Sequence, residues 1–377
     1  MNGKKKSYVF NAVIIVLVTA LSVVYLVKDG TIKNENLKNV TFVSLAAVVG
    51  VYVLSMLVWA LSDYFAVKGT LKDWSFLKSF NDLIYGKLAS SVTPLKSGHF
   101  PMRVYCLTRY GYSFYESLTA LSMCQIVASV ASFLNYLTVF IVATAQKLTV
   151  SVSGKTVGLN IVVLIGLIFH FLTICFVCAL AFIAPLQRVF INLVSKLKFR
   201  KDEQKRAEYI ESETIKYKVY KERIVAMGKV FYRYIPAVLI YVAYMFLTSS
   251  LIYVAFLAVS GQAFALNDYF SYYLLTIGAA YITNVIPIPG AAGSSEIVFR
   301  MLFKEVIAAD ILGGVLLVWR IGSYYVPLIL AIIQFYISQA FFSASDRKKT
   351  STKGRSWLNE KTRKRSQGSD LWKSKKK

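Results

Sequence analysis

The sequence predicts an all-α polytopic membrane protein whose two halves form an inverted repeat. Of its 377 residues, 56% are hydrophobic and the mean hydropathy is +0.54, both higher than in ordinary soluble domains. The apolar residues lie in runs of the length that a membrane-spanning helix needs, about 20 residues. In each half, one further apolar run is broken by Pro and Gly. These three observations predict six full spans and two re-entrant helical hairpins.

Six apolar runs have the length of a full span. The first follows the basic cluster Lys4–Lys6 and resembles a signal peptide. Its length, and the lack of a small-residue cleavage pattern after it, favour an uncleaved helix instead. The predicted spans are Tyr8–Val27, Val40–Leu61, Tyr115–Thr144, Val157–Ile183, Phe231–Val259 and Ile311–Phe342.

Two broken segments lie between the second and third spans and between the fifth and sixth. The first, Thr93–Arg103, follows the apolar run Trp74–Ser91, and the second, Pro287–Glu296, follows Tyr269–Ile286. Non-helical backbone at membrane depth is tolerated only where protein buries it or where it lines a wet cavity. Paired interruptions of this kind indicate the binding site of a transporter. The alternative is a chain of eight spans with the broken segments in connecting loops.

The distribution of positive charge predicts the orientation of the spans. The N-terminal cluster, the insert 188–229 and the tail 344–377 are strongly basic, whereas the other connections carry few basic residues. Both termini are therefore expected in the cytoplasm of a multi-pass protein of the cell membrane. With six spans, the hairpins enter from opposite faces, and the halves 8–144 and 157–342 form one membrane domain within residues 1–343.

Two charged regions lie outside the predicted spans. Within the insert 188–229, the segment Val194–Lys229 has the pattern of a charged helix with an incomplete apolar face. It is expected to lie on the inner leaflet, to pack against the membrane domain, or to link the halves in water. The tail 344–377 has too few apolar residues to fold alone, so we expect a disordered segment attracted to anionic headgroups.

The formal net charge of +25 restricts the partners of the chain. Nucleic-acid binding needs basic groups on a folded domain in water, and no long polar stretch could form one. Basic residues facing an anionic leaflet explain the charge better. We therefore expect membrane lipids as partners and no nucleic acid, with a homo-oligomer as one possible state.

No cofactor, metal site or enzyme activity is expected. The histidines are His99 and His170, and the C-x-x-C pair Cys175 and Cys178 lies in a long apolar run without a second ligand pair. These cysteines are expected to be buried as small hydrophobic side chains. Hydrolase, metalloprotease and P-loop motifs are absent from the sequence, so no catalytic residue is predicted.

The expected binding residues lie at the broken segments and in the last span. Ionisable side chains at membrane depth are costly and are functional candidates by default. Arg103 follows the first tip and Arg320 lies well inside the last span. Because buried charges persist only when paired, Glu296 should meet one of these arginines. The basic residues outnumber this carboxylate, so the site should favour an anion such as phosphate. The full predicted set is Lys96, Gly98, His99, Arg103, Pro289, Gly290, Gly293, Ser294, Glu296, Arg300 and Arg320.

Five of these positions have a second interpretation. Lys96 could reach the cytoplasmic interface, and Arg300 could lie near the outer interface without a specific role. A pair of Glu296 with Arg320 could be purely structural. His99 could titrate near neutral pH or bind the hairpin backbone.

The broken segments resemble the paired motifs of the lysylphosphatidylglycerol synthase membrane region, also described as a flippase-like domain. The first motif, T-P-x-x-x-G with a following Arg, is similar to Thr93–Gly98 and Arg103. The second, P-x-P-G-x-x-G-x-x-E, is similar to Pro287–Glu296, and a downstream Arg resembles Arg320. The resemblance implies lipid translocation, and stand-alone members are proposed to move anionic or isoprenoid-linked lipids.

The chain departs from this family pattern in several places. His99 stands where members often have an acidic residue, Ala291 where they often have Gly, and Ser295 where they often have a basic residue. Full-length synthases also carry a soluble aminoacyl-transferase domain after the membrane region, where only a basic tail follows here. Synthesis of lysyl-lipid by this chain is therefore not expected.

Three functional hypotheses follow. The leading one is a translocator that flips an anionic phospholipid or isoprenoid-linked lipid across the cytoplasmic membrane of a bacterium. Its phosphate, held by Arg103 and Arg320, would lie where the two hairpins meet. The second is a membrane-embedded enzyme, or enzyme subunit, of lipid headgroup or cell-envelope modification. The third is a scaffold whose basic tail recruits a partner. The identity of the lipid, the direction of movement and the energy source stay open.

Overall fold

The computed structural model describes residues 40–152, 155–198, 202–285 and 294–343, together with Val24 and Lys28. The predicted first span, Tyr8–Val27, and the tip of the second broken segment, Pro287–Gly293, lie outside the described residues. So does the tail 344–377.

The described chain consists of helices joined by short connections and a small β-hairpin. Its first half contains α1 (Phe42–Val67), α2 (Phe76–Val92), α3 (His99–Arg109) and α4 (Phe114–Ala145). The strands β1 (Thr149–Val152) and β2 (Lys155–Gly158) follow. Next come α5 (Leu159–Phe182), α6 (Ala184–Lys198), α7 (Glu203–Lys229) and α8 (Ile235–Ser249). The last helices are α9 (Leu251–Ser260), α10 (Leu266–Val285), α11 (Ser294–Phe303) and α12 (Ala309–Ser343).

Five apolar helical segments in this part of the chain are long enough to cross a membrane. They are α1, α4, most of α5, the segment Phe231–Ser260 that contains α8 and α9, and α12. Each coincides with one of the predicted spans. The largest difference is at the end of α1, which continues to Val67 rather than stopping at Leu61. The chain is therefore an all-α membrane protein.

Side-chain caps determine where several helices begin. Thr41 and Ser44 form a capping box at the start of α1, and Ser113 and Glu116 form another at the start of α4. In each box the two side chains bind backbone N–H groups that have no partner within the helix. The polar residues before each apolar run therefore end the preceding connection.

The outer face of α5 is apolar and exposed, as expected for a helix in contact with lipid. Cys175 lies on this exposed side, so the prediction that it is buried was wrong. A long apolar run does not show which face of a helix packs against protein. The side chain of Cys178 lies outside the described residues. The exposed hydrophobic residues of the helix include Ile161, Ile165, Ile168, Phe169, Leu172 and Phe176.

The connection between α4 and α5 forms a two-stranded antiparallel sheet, for which no strand was predicted. Thr149 pairs with Gly158, and Val152 pairs with Lys155. The alternation of Val with polar residues is typical of a strand and could have indicated this hairpin.

Each half contains a pair of shorter helices between longer ones. In the first half α2 packs against α3, and in the second α10 packs against α11. In both pairs the Pro/Gly segment lies between the two helices, as predicted for helical hairpins. We call α2, residues 93–98 and α3 the first hairpin. The inverted orientation of the halves, and the entry of each hairpin into the membrane, remain predictions.

The basic insert packs against the membrane domain, which was one of its three predicted positions. Ile191 of α6 and Tyr217, Tyr220 and Ile224 of α7 form a small buried cluster that also contacts α4. The Tyr220 hydroxyl lies 3.0 Å from the hydroxyl of Ser122 on α4. Tyr217 and Tyr220, which belong to the incomplete apolar face of the insert, therefore hold it against the membrane domain.

By its internal contacts the chain divides into two units, Met1–Ala331 and Ile332–Lys377. The second unit is described only as the end of α12. The sites discussed below lie in the first unit.

Candidate functional site

The tip of the first hairpin is closed by the side chain of Thr93. Its hydroxyl donates to the carbonyl oxygen of Ala89 at 2.8 Å and accepts from the N–H of Gly98 at 2.9 Å. Residues 94–96 form a short 3₁₀ turn between these two positions. The T-P-x-x-x-G pattern therefore stops α2 and starts α3 with its backbone groups partnered.

Two consecutive residues of this tip have left-handed backbone conformations. The φ angles are 53° at Leu95 and 56° at Lys96. Such a conformation costs a non-glycine residue on the order of 1–3 kcal/mol, so it persists only where the surrounding structure imposes it. Helix α10 of the other half contacts this tip. The packing between the halves therefore holds Lys96 in a strained position.

A cavity of about 280 Å³ lies between the first hairpin and α12. Lys87, Lys96 and Arg320 contribute three cationic side chains to its wall, and none of its described lining residues is acidic. It therefore favours an anion. The hydroxyl groups around it belong to Tyr52, Ser90, Ser91, Thr248, Ser295 and Ser323, among others. Its apolar wall includes Leu251, Ile252, Phe299, Phe303 and Trp319.

Arg320 is held by a buried ion pair with Glu296. The Nε of Arg320 donates to Oε1 of Glu296 at 2.7 Å, and the residues are 4% and 1% exposed. The prediction that Glu296 meets one of the two arginines is confirmed for Arg320. The Nη2 of Arg320 and the Oε2 of Glu296 have no hydrogen-bond partner among the described residues. The guanidinium therefore keeps a free donor edge in a residue that lines the cavity.

The backbone around Arg320 is unusual. Residues Ile321–Tyr325 form a π-helical turn within α12, and such turns are frequent at functional sites. Gly322 packs against α1 so closely that a Cβ there would lie 2.5 Å from Cγ1 of Val48. The Tyr324 ring lies beneath the Arg320 guanidinium, with its centroid 4.6 Å from Cζ. Glycine packing and ring stacking together fix the position of Arg320.

Arg103 lies in a different environment from the one predicted. Its Nε donates to Asp82 at 2.7 Å and its Nη2 to Asp63 at 2.8 Å, and all three residues are buried. It is absent from the described lining of the cavity. The charge count made from the sequence was therefore wrong, because it omitted both aspartates and Lys87. Asp63 was missed because the predicted span ended at Leu61, and Asp82 because it lies in an interrupted run.

The other predicted residues are distributed around the cavity. The His99 ring stacks on Trp59 with centroids 5.7 Å apart, and Lys87 Nζ lies 4.5 Å from the centroid of the Trp59 ring. Ser294 is buried at the start of α11, next to the cavity-lining Ser295. Arg300, on the same helix, is half-buried and is not among the described lining residues. Pro289, Gly290 and Gly293 lie outside the described residues.

A second cavity, of about 720 Å³, was not predicted. It lies among α4, α5, α8 and α10. Its polar groups include Asn135 and Tyr273, which hydrogen-bond each other, and none of its described lining residues is charged. This cavity has no group that could balance a phosphate. The cavity lined by Lys87, Lys96 and Arg320, which we call the cationic cavity, is therefore the candidate anion site.

The comparison with known families agrees with this architecture. The model of the family described as "Lysylphosphatidylglycerol synthase TM region" matches residues 12–331. The chain belongs to this family. No curated protein matched the sequence. The family match includes the first hairpin, Glu296 and Arg320, so every described residue of the cationic cavity lies within the lysylphosphatidylglycerol synthase membrane region. Membership of this family links the chain to lipid handling in a membrane.

Proposed function

We propose that this protein moves an anionic lipid across the membrane and holds the lipid phosphate in the cationic cavity. One observation carries the proposal. Lys87, Lys96 and Arg320 converge on a cavity whose described wall lacks a carboxylate, within an apolar membrane domain. Ionisable side chains at membrane depth are costly, which makes such a site a functional candidate.

The chemistry of the wall suits a phosphate group. The free edge of the Arg320 guanidinium can donate to phosphate oxygens, and charge-assisted bonds of this kind are about twice as strong as neutral ones. Ser90 and Ser295 place hydroxyl groups around the same space. The three cations would balance a phosphate that has left water.

The size of the cavity suits a headgroup rather than a whole lipid. A volume of about 280 Å³ is at the small end of ligand pockets, which hold roughly 300–1,000 Å³. The hydrophobic chains of a phospholipid or isoprenoid-linked lipid would therefore remain in the bilayer while the headgroup moves through the protein.

Glu296 gives the site a way to release its ligand. In the structure its carboxylate accepts a hydrogen bond from Arg320, a group that a phosphate would also use. The carboxylate and phosphate therefore compete for one guanidinium. In our proposal Glu296 neutralises Arg320 when the cavity is empty. When the lipid arrives, its phosphate replaces Glu296 as the partner of Arg320.

Lipid transfer by the purified full-length chain in vesicles tests this proposal. Wild-type protein should move an anionic lipid between leaflets, and Arg320→Gln should slow that movement about tenfold to a hundredfold, as expected when a charged hydrogen bond is lost. Lys304→Gln is the matched control, because this side chain is half-exposed and is not among the described lining residues. Equal rates in wild type and Arg320→Gln would contradict the proposal.

A second candidate function has one observation in its favour. The family is that of the membrane region of a lipid-modifying synthase, so the chain could serve an enzyme that alters lipid headgroups. The same vesicle experiment separates the two. Unmodified lipid in the opposite leaflet supports translocation, whereas a new lipid species supports the enzymatic alternative.

A further inference from the structure

A second group of buried charges lies beside the cationic cavity. Arg103 binds Asp63 and Asp82, and none of the three residues is more than 5% exposed. We call Asp63 and Asp82 the acid pair. Two carboxylates against one guanidinium leave this group with one negative charge in excess. Like charges that share a buried site cannot both be stable as anions.

The two members of the acid pair have unequal partners. The carboxyl group of Asp63 accepts from Arg103 and lies close to the polar side-chain atoms of Trp59 and Cys124. Asp82 accepts from Arg103 on Oδ2 only, and its buried Oδ1 has no hydrogen-bond partner among the described residues. A buried anionic oxygen without a donor is much less favourable than a neutral hydroxyl. Of the two carboxyl groups, that of Asp82 is therefore the one expected to be protonated.

We propose that the acid pair carries one proton on Oδ1 of Asp82, and that its release and uptake are coupled to lipid movement. The coupling rests on the translocation proposed above. In the release step the O–H bond of Asp82 breaks, its electron pair stays on Oδ1, and the proton passes to water on the open side of the protein. The charge that remains makes the group around Arg103 anionic.

The surroundings of the acid pair favour a proton over a metal ion. Within the described part of the chain, no group of three or more His, Cys, Asp or Glu side chains could hold a metal. A hard cation requires several oxygen ligands, and within the acid pair only Oδ1 of Asp82 is a buried oxygen without a hydrogen-bond partner among the described residues. The titratable side chains that face the pair are Arg103, Cys106, Tyr110, Cys124, Tyr241 and Tyr244, and His99 lies next to Arg103.

A short path of side chains connects the acid pair with the cationic cavity. Trp59 lies close to Asp63, stacks on His99 and lies beneath Lys87, which lines the cavity. Gly86 leaves room for this arrangement, since a Cβ there would lie 2.8 Å from side-chain atoms of His99 and Arg103. A headgroup that moves Lys87 therefore acts on the partners of the acid pair.

Infrared spectroscopy of the full-length protein in lipid nanodiscs tests the proton directly. Wild-type protein at neutral pH should show the carbonyl band of a buried protonated carboxyl group. Asp82→Asn should lose the band, and so should Asp63→Asn, because either change leaves one carboxylate for one guanidinium. Glu296→Gln, which removes a different buried acid, should keep it. Absence of the band in wild type, or its persistence in both aspartate variants, would overturn the proposal.

Lipid transfer in vesicles tests the coupling separately. A pH gradient should change the wild-type transfer rate, and a sodium gradient should not. Asp82→Asn should lose the response to pH, and Asp63→Asn provides the same test if Asp82→Asn does not fold. A wild-type transfer rate that is unchanged by the pH gradient, or that changes with the sodium gradient, would overturn the proposed coupling to protons. If wild type moves no lipid at all, the translocation proposal fails with the coupling, while the infrared band still decides whether the proton is present.

Discussion

At the scale of single residues, the site is built from buried charges in unequal environments. Among the described residues, Arg320 shares one carboxylate and its Nη2 has no hydrogen-bond partner, whereas Arg103 is bound by two aspartates. A guanidinium with an unpartnered donor can bind a ligand, while one bound by two aspartates is already neutralised. Only Arg320, of these two, is therefore suited to hold the phosphate.

Glu296→Gln should make the stability of the protein depend on anions. The change leaves the buried Arg320 without its charged partner, and breaking a buried pair costs about 3–5 kcal/mol. An anionic lipid in the cavity should restore part of this loss. Thermal unfolding in detergent, with and without the lipid, should show a lower Tm and a larger increase on lipid addition than in wild type.

Glu305→Gln is the matched control for that measurement. Its side chain is 66% exposed, so the substitution should leave both the Tm and the effect of lipid unchanged. A Glu296→Gln protein as stable as wild type in the absence of lipid would show that the ion pair is not needed to balance Arg320.

Arg103→Gln should destabilise the protein in a pH-dependent way. Without the guanidinium, Asp63 and Asp82 are buried carboxyl groups that favour their neutral forms. As the pH rises, the unfolded state loses these protons, whereas burial keeps them on the carboxyl groups in the folded state. The variant should therefore become less stable relative to wild type as pH rises. Tm measurements across pH 5–9 should show this divergence, and a constant difference would contradict it.

At the scale of elements, the proposed function depends on interruptions in otherwise regular helices. The tip of the first hairpin has two left-handed residues, and α12 contains a π-helical turn directly after Arg320. Both irregular segments border the cationic cavity through Lys96 and Tyr324. In this proposal the regular helices cross the membrane. The two irregular segments position Lys96 and Tyr324 on the wall of the cavity that would hold the lipid phosphate.

Gly322→Val should weaken both packing and transport. The added side chain would collide with Val48 and push α12 away from α1, and overpacking of this kind costs about 1–3 kcal/mol. Gly50→Val on α1 is a matched control, because nothing lies within 4 Å of its Cβ position. Tm and lipid transfer should fall for Gly322→Val and stay close to wild type for Gly50→Val. Equal effects of the two variants would exclude a special role for this contact.

The sequence was informative about elements that follow from local patterns. Length and hydropathy located the five described spans, and Pro and Gly located the first hairpin. Features that depend on distant partners were missed, including the pairing of Arg103 with Asp63 and Asp82. No local pattern reports that these side chains meet, because they come from three different helices. The π-helical turn also depends on how α12 packs against α1.

At the scale of the whole molecule, the two halves contribute different parts of one site. Lys87 and Lys96 come from the first half, and Ser295 and Arg320 from the second. Movement of one half relative to the other would therefore open or divide the cationic cavity. This arrangement is typical of transporters that bind their substrate between repeated halves.

Removal of residues 348–377 should leave lipid transfer intact. The family match ends at residue 331, and every described residue of the cationic cavity precedes this basic tail. The truncated protein should transfer lipid in vesicles at the wild-type rate. A complete loss of transfer would favour the scaffold hypothesis, in which the tail carries the function.

The most direct test of the central claim is the lipid that the protein retains during purification. Native mass spectrometry of the wild-type protein should show one bound anionic or isoprenoid-linked lipid that carries phosphate. The same lipid should be depleted in Arg320→Ala and retained in Lys304→Gln. Equal retention in wild type and Arg320→Ala, or retention of uncharged lipids alone, would contradict the claim that the cationic cavity holds a lipid phosphate.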